Sequence, residues 1–151
     1  MLDDTGIKMM ELGGKGYCCS QIMVLLALEE TGRENPDLVR AAAGLCNGLG
    51  DCSGPCGVLT GAALLLGMYA GKGTDIEEAE AVLPVMLESL RDSFAGATAD
   101  FGGISCGDIL SGGCGQPNPA ICGGLVADTF ARVREILVEN GLDPSQGRDL
   151  S

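Results

Sequence analysis

A chain with no tryptophan, two tyrosines and three phenylalanines cannot build its core from rings, and that shortage limits the available folds more than any other feature. Sheet sandwiches lean on aromatic and β-branched side chains to fill the space between layers. Closely packed helices are well served by Leu, Ala, Val, Ile and Met. With 46% of its 151 residues hydrophobic, the chain has enough apolar material for one domain core without disulfides as scaffolding. It contains no run of alternating β-branched residues bounded by turns, no internal repeat of fixed period and no low-complexity linker. The sequence therefore predicts an all-α fold: a single domain over 1–151, a helical bundle of about five to seven helices with Gly-rich, cysteine-bearing loops.

Glycine and proline punctuate the apolar stretches. Leu2 to Leu12 reads as a short amphipathic helix with Ile7 and Met10 on one face, stopped by Gly13 and Gly14. A second helix starts near Cys18 and runs through Ile22, Val24 and Leu28 to Thr31, with Gly32 as its stop. Pro36 opens a third, with Leu38, Val39 and Ala42 on its apolar side. The segment from Gly44 to Gly57 is too rich in glycine for a regular helix, and it completes neither a GxGxxG nor a P-loop pattern. From Pro55 a fourth helix carries Val58 to Tyr69, its glycines leaving room for a neighbouring backbone. Thr74 or Asp75 caps a fifth, with Glu77, Glu78 and Glu80 in its first turns and Pro84 kinking or splitting it before Leu90. A short helical piece around Ser105 to Leu110 follows. The last helix runs from Pro119 to Asn140 with Leu125, Val126, Phe130, Val133, Ile136 and Leu137 as its stripe.

The longest apolar stretch, Val58 to Ala70, is too short to span a bilayer and reads as a buried helix, so no membrane is expected. A net charge of −12, from 9 basic and 21 acidic residues, opposes a surface that tracks phosphates, and no nucleic acid is expected. The acidity serves solubility; its functional counterpart is docking to a basic redox partner protein. The small residues of the fourth helix permit a homodimer. Met9, Met10, Met23, Met68 and Met86 are expected to fill the core. Histidine is absent, which removes Ser-His-Asp and Cys-His catalysis, HExxH zinc sites and His-ligated haem. Asp100, Asp108 and Asp128 carry no motif around them that points to acid–base machinery.

Eight cysteines is a high number for a chain opening Met1-Leu2-Asp3-Asp4 without a basic stretch followed by an apolar one, and a cytoplasmic location is expected. In a reducing compartment such cysteines read as metal ligands or redox thiols before structural disulfides. No two form CxxC, which removes the thioredoxin motif, zinc-ribbon spacing and the bacterial ferredoxin run. Cys52 to Cys56 begins like the CxxxCxxC of radical enzymes that use S-adenosylmethionine, but Leu59 stands where the third cysteine is needed. The helix starts are more informative. Cys19, Cys56, Cys106 and Cys122 each fall in the first turn of a separate predicted helix, where unsatisfied N–H groups and a partial positive charge favour a thiolate.

The motifs Tyr17-Cys-Cys19-Ser-Gln21, Ala43-Gly-Leu-Cys-Asn-Gly-Leu-Gly50, Cys56-Gly-Val-Leu-Thr-Gly61, Ser105-Cys-Gly-Asp-Ile-Leu110 and Cys122 follow one another in an order that resembles the C_GCAxxG_C_C family of redox-active proteins. The likeness runs from Gly16 to about Leu137. It implies a helical protein of electron transfer, similar to the domain that accompanies haem in split-Soret cytochromes, with Cys19, Cys56, Cys106 and Cys122 as the family's four cysteines. The chain departs from the pattern at Pro55 and Val58, and in its extra cysteines Cys18, Cys46, Cys52 and Cys114, which offer additional or substitute ligands.

Three functions follow as expectations. The first is a small electron-transfer protein whose Cys19, Cys56, Cys106 and Cys122 ligate one iron–sulfur cluster, [2Fe–2S] or [4Fe–4S]. The second is a metal-free thiol–disulfide protein working through Cys52 and Cys56 or Cys18 and Cys19. The third is a structural zinc or other metal-binding protein, although zinc ligands usually come in close pairs and these four are scattered.

Overall fold

The computed structural model of the chain describes residues 4–111, 113–114 and 118–148. Among them are seven α-helices: α1 (Asp4–Gly14), α2 (Cys19–Glu30), α3 (Pro36–Ala42), α4 (Gly57–Ala70), α5 (Leu83–Ala97), α6 (Cys106–Ile109) and α7 (Pro119–Glu139). The described residues include no strand, and the single β-type pairing is an isolated antiparallel bridge between Pro55 and Ser105. The all-α expectation holds.

The most apolar helix, α4, stands at the centre and packs against α2, α5 and α7. Val58, Ala62, Leu66 and Ala70 on α4 are fully buried, as are Met23 and Val24 on α2, Met86 on α5, and Val133 and Ile136 on α7. Small residues let α2 and α4 approach closely. A Cβ placed on Gly61 would stand 2.9 Å from Met23 Cβ and 3.0 Å from Ser20 Cα, so any larger residue there would force the two helices apart. The apolar stripe expected for the last helix is buried from Leu125 to Leu137. At the other side of the core, Tyr69 turns its hydroxyl to donate to Pro144 O at 2.5 Å, tying the C-terminal segment to α4. Burial pushes this phenol up to about 12.

Three expectations need correction. The fifth helix begins at Leu83, not at Thr74 or Asp75, and Pro84 sits in its first turn, where its missing N–H costs nothing, rather than kinking it. The acidic residues that looked like a first turn serve as anchors instead. Glu77 accepts from the N–H groups of Gly73 and Thr74 and pairs with Arg148 at 3.1 Å, and Glu80 reaches the same guanidinium at 3.5 Å. On α1, Ile7 and Met10 face outward, 48% and 59% exposed, while Gly6 and Leu12 are buried. Met10 is therefore not core filler, unlike Met23 and Met86.

Among the described residues no helix is long and apolar enough to cross a membrane.

Candidate functional site

The eight cysteines divide into two sets of four. Cys18 is joined to Cys46 and Cys52 to Cys114, with Cα atoms 6.1 and 5.8 Å apart. Cys19, Cys56, Cys106 and Cys122 are free thiols. The working pairs expected for a thiol–disulfide protein, Cys52 with Cys56 and Cys18 with Cys19, are not the pairs that form, because tertiary packing sets Cys46 beside Cys18 and Cys114 beside Cys52. In this oxidised state the four additional cysteines hold one another and are not available as ligands.

Each free thiol stands at the start of a helix. Cys19 is the first residue of α2, after Cys18, whose N–H donates to Gln21 Oε1 at 3.2 Å. Cys56 caps α4, and Cys106 opens α6 behind Ser105, whose hydroxyl accepts the Asp108 N–H at 3.0 Å. Cys122 lies in the first turn of α7, where Asn118 Oδ1 accepts from Ala120 and Ile121.

Tertiary contacts bring the four starts together. The bridge between Pro55 and Ser105 is closed by Cys56 N–H donating to Ile104 O at 2.8 Å and Cys106 N–H donating to Gly54 O at 3.1 Å. The chain thus enters α4 and α6 side by side. The start of α2 packs on the start of α4, where a Cβ on Gly57 would lie 3.4 Å from Cys19 Cβ. Cys19 in turn shares the lining of one cleft with Cys122. Gly48, at a φ of +57° that favours glycine, walls the far side: a Cβ there would be 2.8 Å from Gly54 O and 3.1 Å from Cys106 Cβ.

The electrostatics follow from this crowding. The hydrogen bond to Cys122, then burial, then the neighbouring thiols hold the Cys19 proton on its sulfur. Burial likewise pushes the Cys56 thiol up, against N–H groups of Val58 and Leu59 that favour the thiolate, and burial and Cys122 push Cys106 up. Cys122 goes the other way. Accepting from Cys19, and aided by the backbone at Asn118, it falls to about 6 despite its burial. In the metal-free protein with both disulfides closed, alkylation of Cys122 is therefore expected to rise through pH 6 while Cys19 stays inert, read by peptide mapping after timed iodoacetamide treatment. A Cys122 that reacts only as the pH nears its ordinary value of 9.0 would refute this pairing. The linkage has the matching sign. Because the folded-state value is depressed, Cys122 contributes stability that grows from pH 6 toward 9.0 and is lost as pH falls through 6.

Among the described residues no three Cys, Asp or Glu side chains stand close enough to hold a single metal ion. The four thiols sit within range of one another's charge, yet spread over four helix starts. A cleft of about 370 Å³ between α1, α2 and α7 opens onto Cys19 and Cys122, lined by Met9, Met10, Tyr17, Ile22 and Val126 among others and by no charged residue. Tyr17, the first residue of the Tyr17-Cys-Cys19 motif, borders this cleft.

A helical domain that gathers four free thiols at one end and pairs four more is a cysteine-based redox protein. The family model described as "Putative redox-active protein (C_GCAxxG_C_C)" matches residues 17–136, and the chain belongs to that family. No curated protein and no solved structure matches it.

Proposed function

We propose that the protein transfers electrons through an iron–sulfur cluster, [2Fe–2S] or [4Fe–4S], held by Cys19, Cys56, Cys106 and Cys122. The observation that carries this reading is that these four thiols stay free and feel one another's charge while every other cysteine is paired off. When bound, such a cluster supplies one-electron chemistry at a potential tuned by hydrogen bonds to its sulfurs, by charge and by solvent exposure. The donor set suits it: thiolates are its usual ligands, and Cys19, Cys56, Cys106 and Cys122 would hold such a multinuclear group from four separate helix starts. A single zinc ion asks four sulfurs to meet at one point, and that reading fits less well.

The chain's own residues prepare the site. Each thiol must give up its proton to become a ligand, and Cys122 already favours the thiolate while Cys56 and Cys106 are held protonated by burial. The positive ends of α2, α4 and α7 offset the negative charge of the thiolates, with the four-residue α6 contributing least. Ile22 and Val126, beside Cys19 and Cys122, limit water on one flank. The net charge of −12 fits docking to a basic partner protein.

Anaerobic purification with iron, zinc and acid-labile sulfide measured per chain, beside the visible spectrum, tests the proposal. Iron with sulfide is expected, and both should vanish when all four cysteines become alanine. Stoichiometric iron in that fourfold variant, or zinc without sulfide in the parent, would defeat the assignment. A metal-free protein that also resists reconstitution would shift the function to thiol–disulfide exchange.

A further inference from the structure

The four paired cysteines remain outside the function proposed above, and they are not equivalent. Cys46 is buried, with its sulfur 2.9 Å from the Ser20 hydroxyl, itself fully buried and donating to Ala42 O at 2.7 Å. Its partner Cys18 is half-buried at the start of α2. Cys52 is buried too, in the turn that precedes α4, where its carbonyl and Cβ lie against Gly107, the residue after Cys106. Of the four paired sulfurs, the one carried by an exposed residue is that of Cys114.

We propose that the Cys52–Cys114 disulfide is a second redox centre, reduced by the dithiol of a partner protein that attacks Cys114. Thiol–disulfide exchange needs a thiolate to approach one sulfur, with the other leaving away from it, so access decides which sulfur is struck. Exposure admits the attack at Cys114 and burial refuses it at Cys52. The partner's first thiolate bonds to Cys114 Sγ, the bond between the two sulfurs breaks, and Cys52 leaves as a thiolate that takes a proton from solvent. The partner's second thiol then displaces Cys114, which leaves as a thiol. Two electrons pass from the partner dithiol, which becomes a disulfide, to the pair, which becomes two thiols.

The place of this disulfide gives the exchange a consequence. It spans 62 residues and ties the turn beside Cys106 to the segment that leads into α7 and Cys122. That turn is held in an unfavourable backbone, with Asn47, Leu49 and Cys52 at φ of +54°, +65° and +68°, and Ser111 at +49° on the other side of the tie. Reduction removes the covalent constraint on a strained turn that walls the free thiols. The centre does not depend on a cluster being bound.

The test uses the full chain and thioredoxin lacking its resolving cysteine, a probe that stops at the mixed disulfide. Peptide mapping is expected to find the adduct on Cys114, and graded dithiothreitol with differential alkylation is expected to open Cys52–Cys114 before Cys18–Cys46. Cys114→Ser should abolish the adduct, while Cys18→Ser should leave it. An adduct on Cys18, loss of Cys18–Cys46 first, or two disulfides that open only together with unfolding would overturn the proposal. So would protein isolated under oxidising conditions with Cys52 and Cys114 as free thiols. Iron content measured on the same samples separates this outcome from that of the cluster assignment.

Discussion

Cys56→Ala is expected to keep the helical fold and lose stoichiometric iron and sulfide, whereas Cys114→Ser keeps both. Cys56 is the buried cap of α4, fixed from two directions by its own N–H bond to Ile104 O and by the bridge that sets Cys106 beside it. Under the cluster reading proposed above, removing its sulfur takes away one of four ligands, and Cys52 cannot replace it while it is joined to Cys114. The fold survives because one sulfur is a small loss from a core filled mainly by α2, α4 and α7. Iron and sulfide analysis beside far-ultraviolet circular dichroism reads the contrast. Equal iron in Cys56→Ala and the parent, or iron lost from Cys114→Ser alone, would move the ligand set to the other four cysteines.

The second large effect is on stability. Leu66→Ala should cost about 2–5 kcal/mol, since a fully buried leucine at the centre of the bundle loses its transfer energy and leaves a cavity that three packed helices cannot collapse into. For a domain of this size that lowers the melting temperature by on the order of 10 °C. Ile76→Ala is the control: 88% exposed, it should change stability by no more than about 0.5 kcal/mol. Urea melts compare the two variants, and a Leu66→Ala midpoint equal to that of Ile76→Ala would mean that α4 is not the centre of the core.

Both predictions join a feature written locally to one that is not. Helix starts are local: a cap such as Ser105 or Asn118 satisfies N–H groups two or three residues away, so four cysteines at four starts could be seen in the sequence, as could the buried stripe of α7. The fifth helix shows where local signals mislead. Glu77 and Glu80 resemble a first turn until Arg148, some seventy residues on, claims them. Likewise α1 turns Met10 outward, because the surface that α2 and α7 present decides which of its faces is covered.

By itself the sequence determined the helical class, the helix boundaries around the cysteines and the family, and it singled out the four cysteines that stay free, since each depends on composition, capping or the order of motifs. Only the tertiary structure decided that Pro55 pairs with Ser105, that Cys19 meets Cys122, and that the remaining four cysteines join as Cys18–Cys46 and Cys52–Cys114. The physical reason is distance along the chain. Those contacts link residues from 28 to about 100 positions apart, and no propensity or spacing rule reaches across such a gap until the packing of α2, α4 and α7 has closed it.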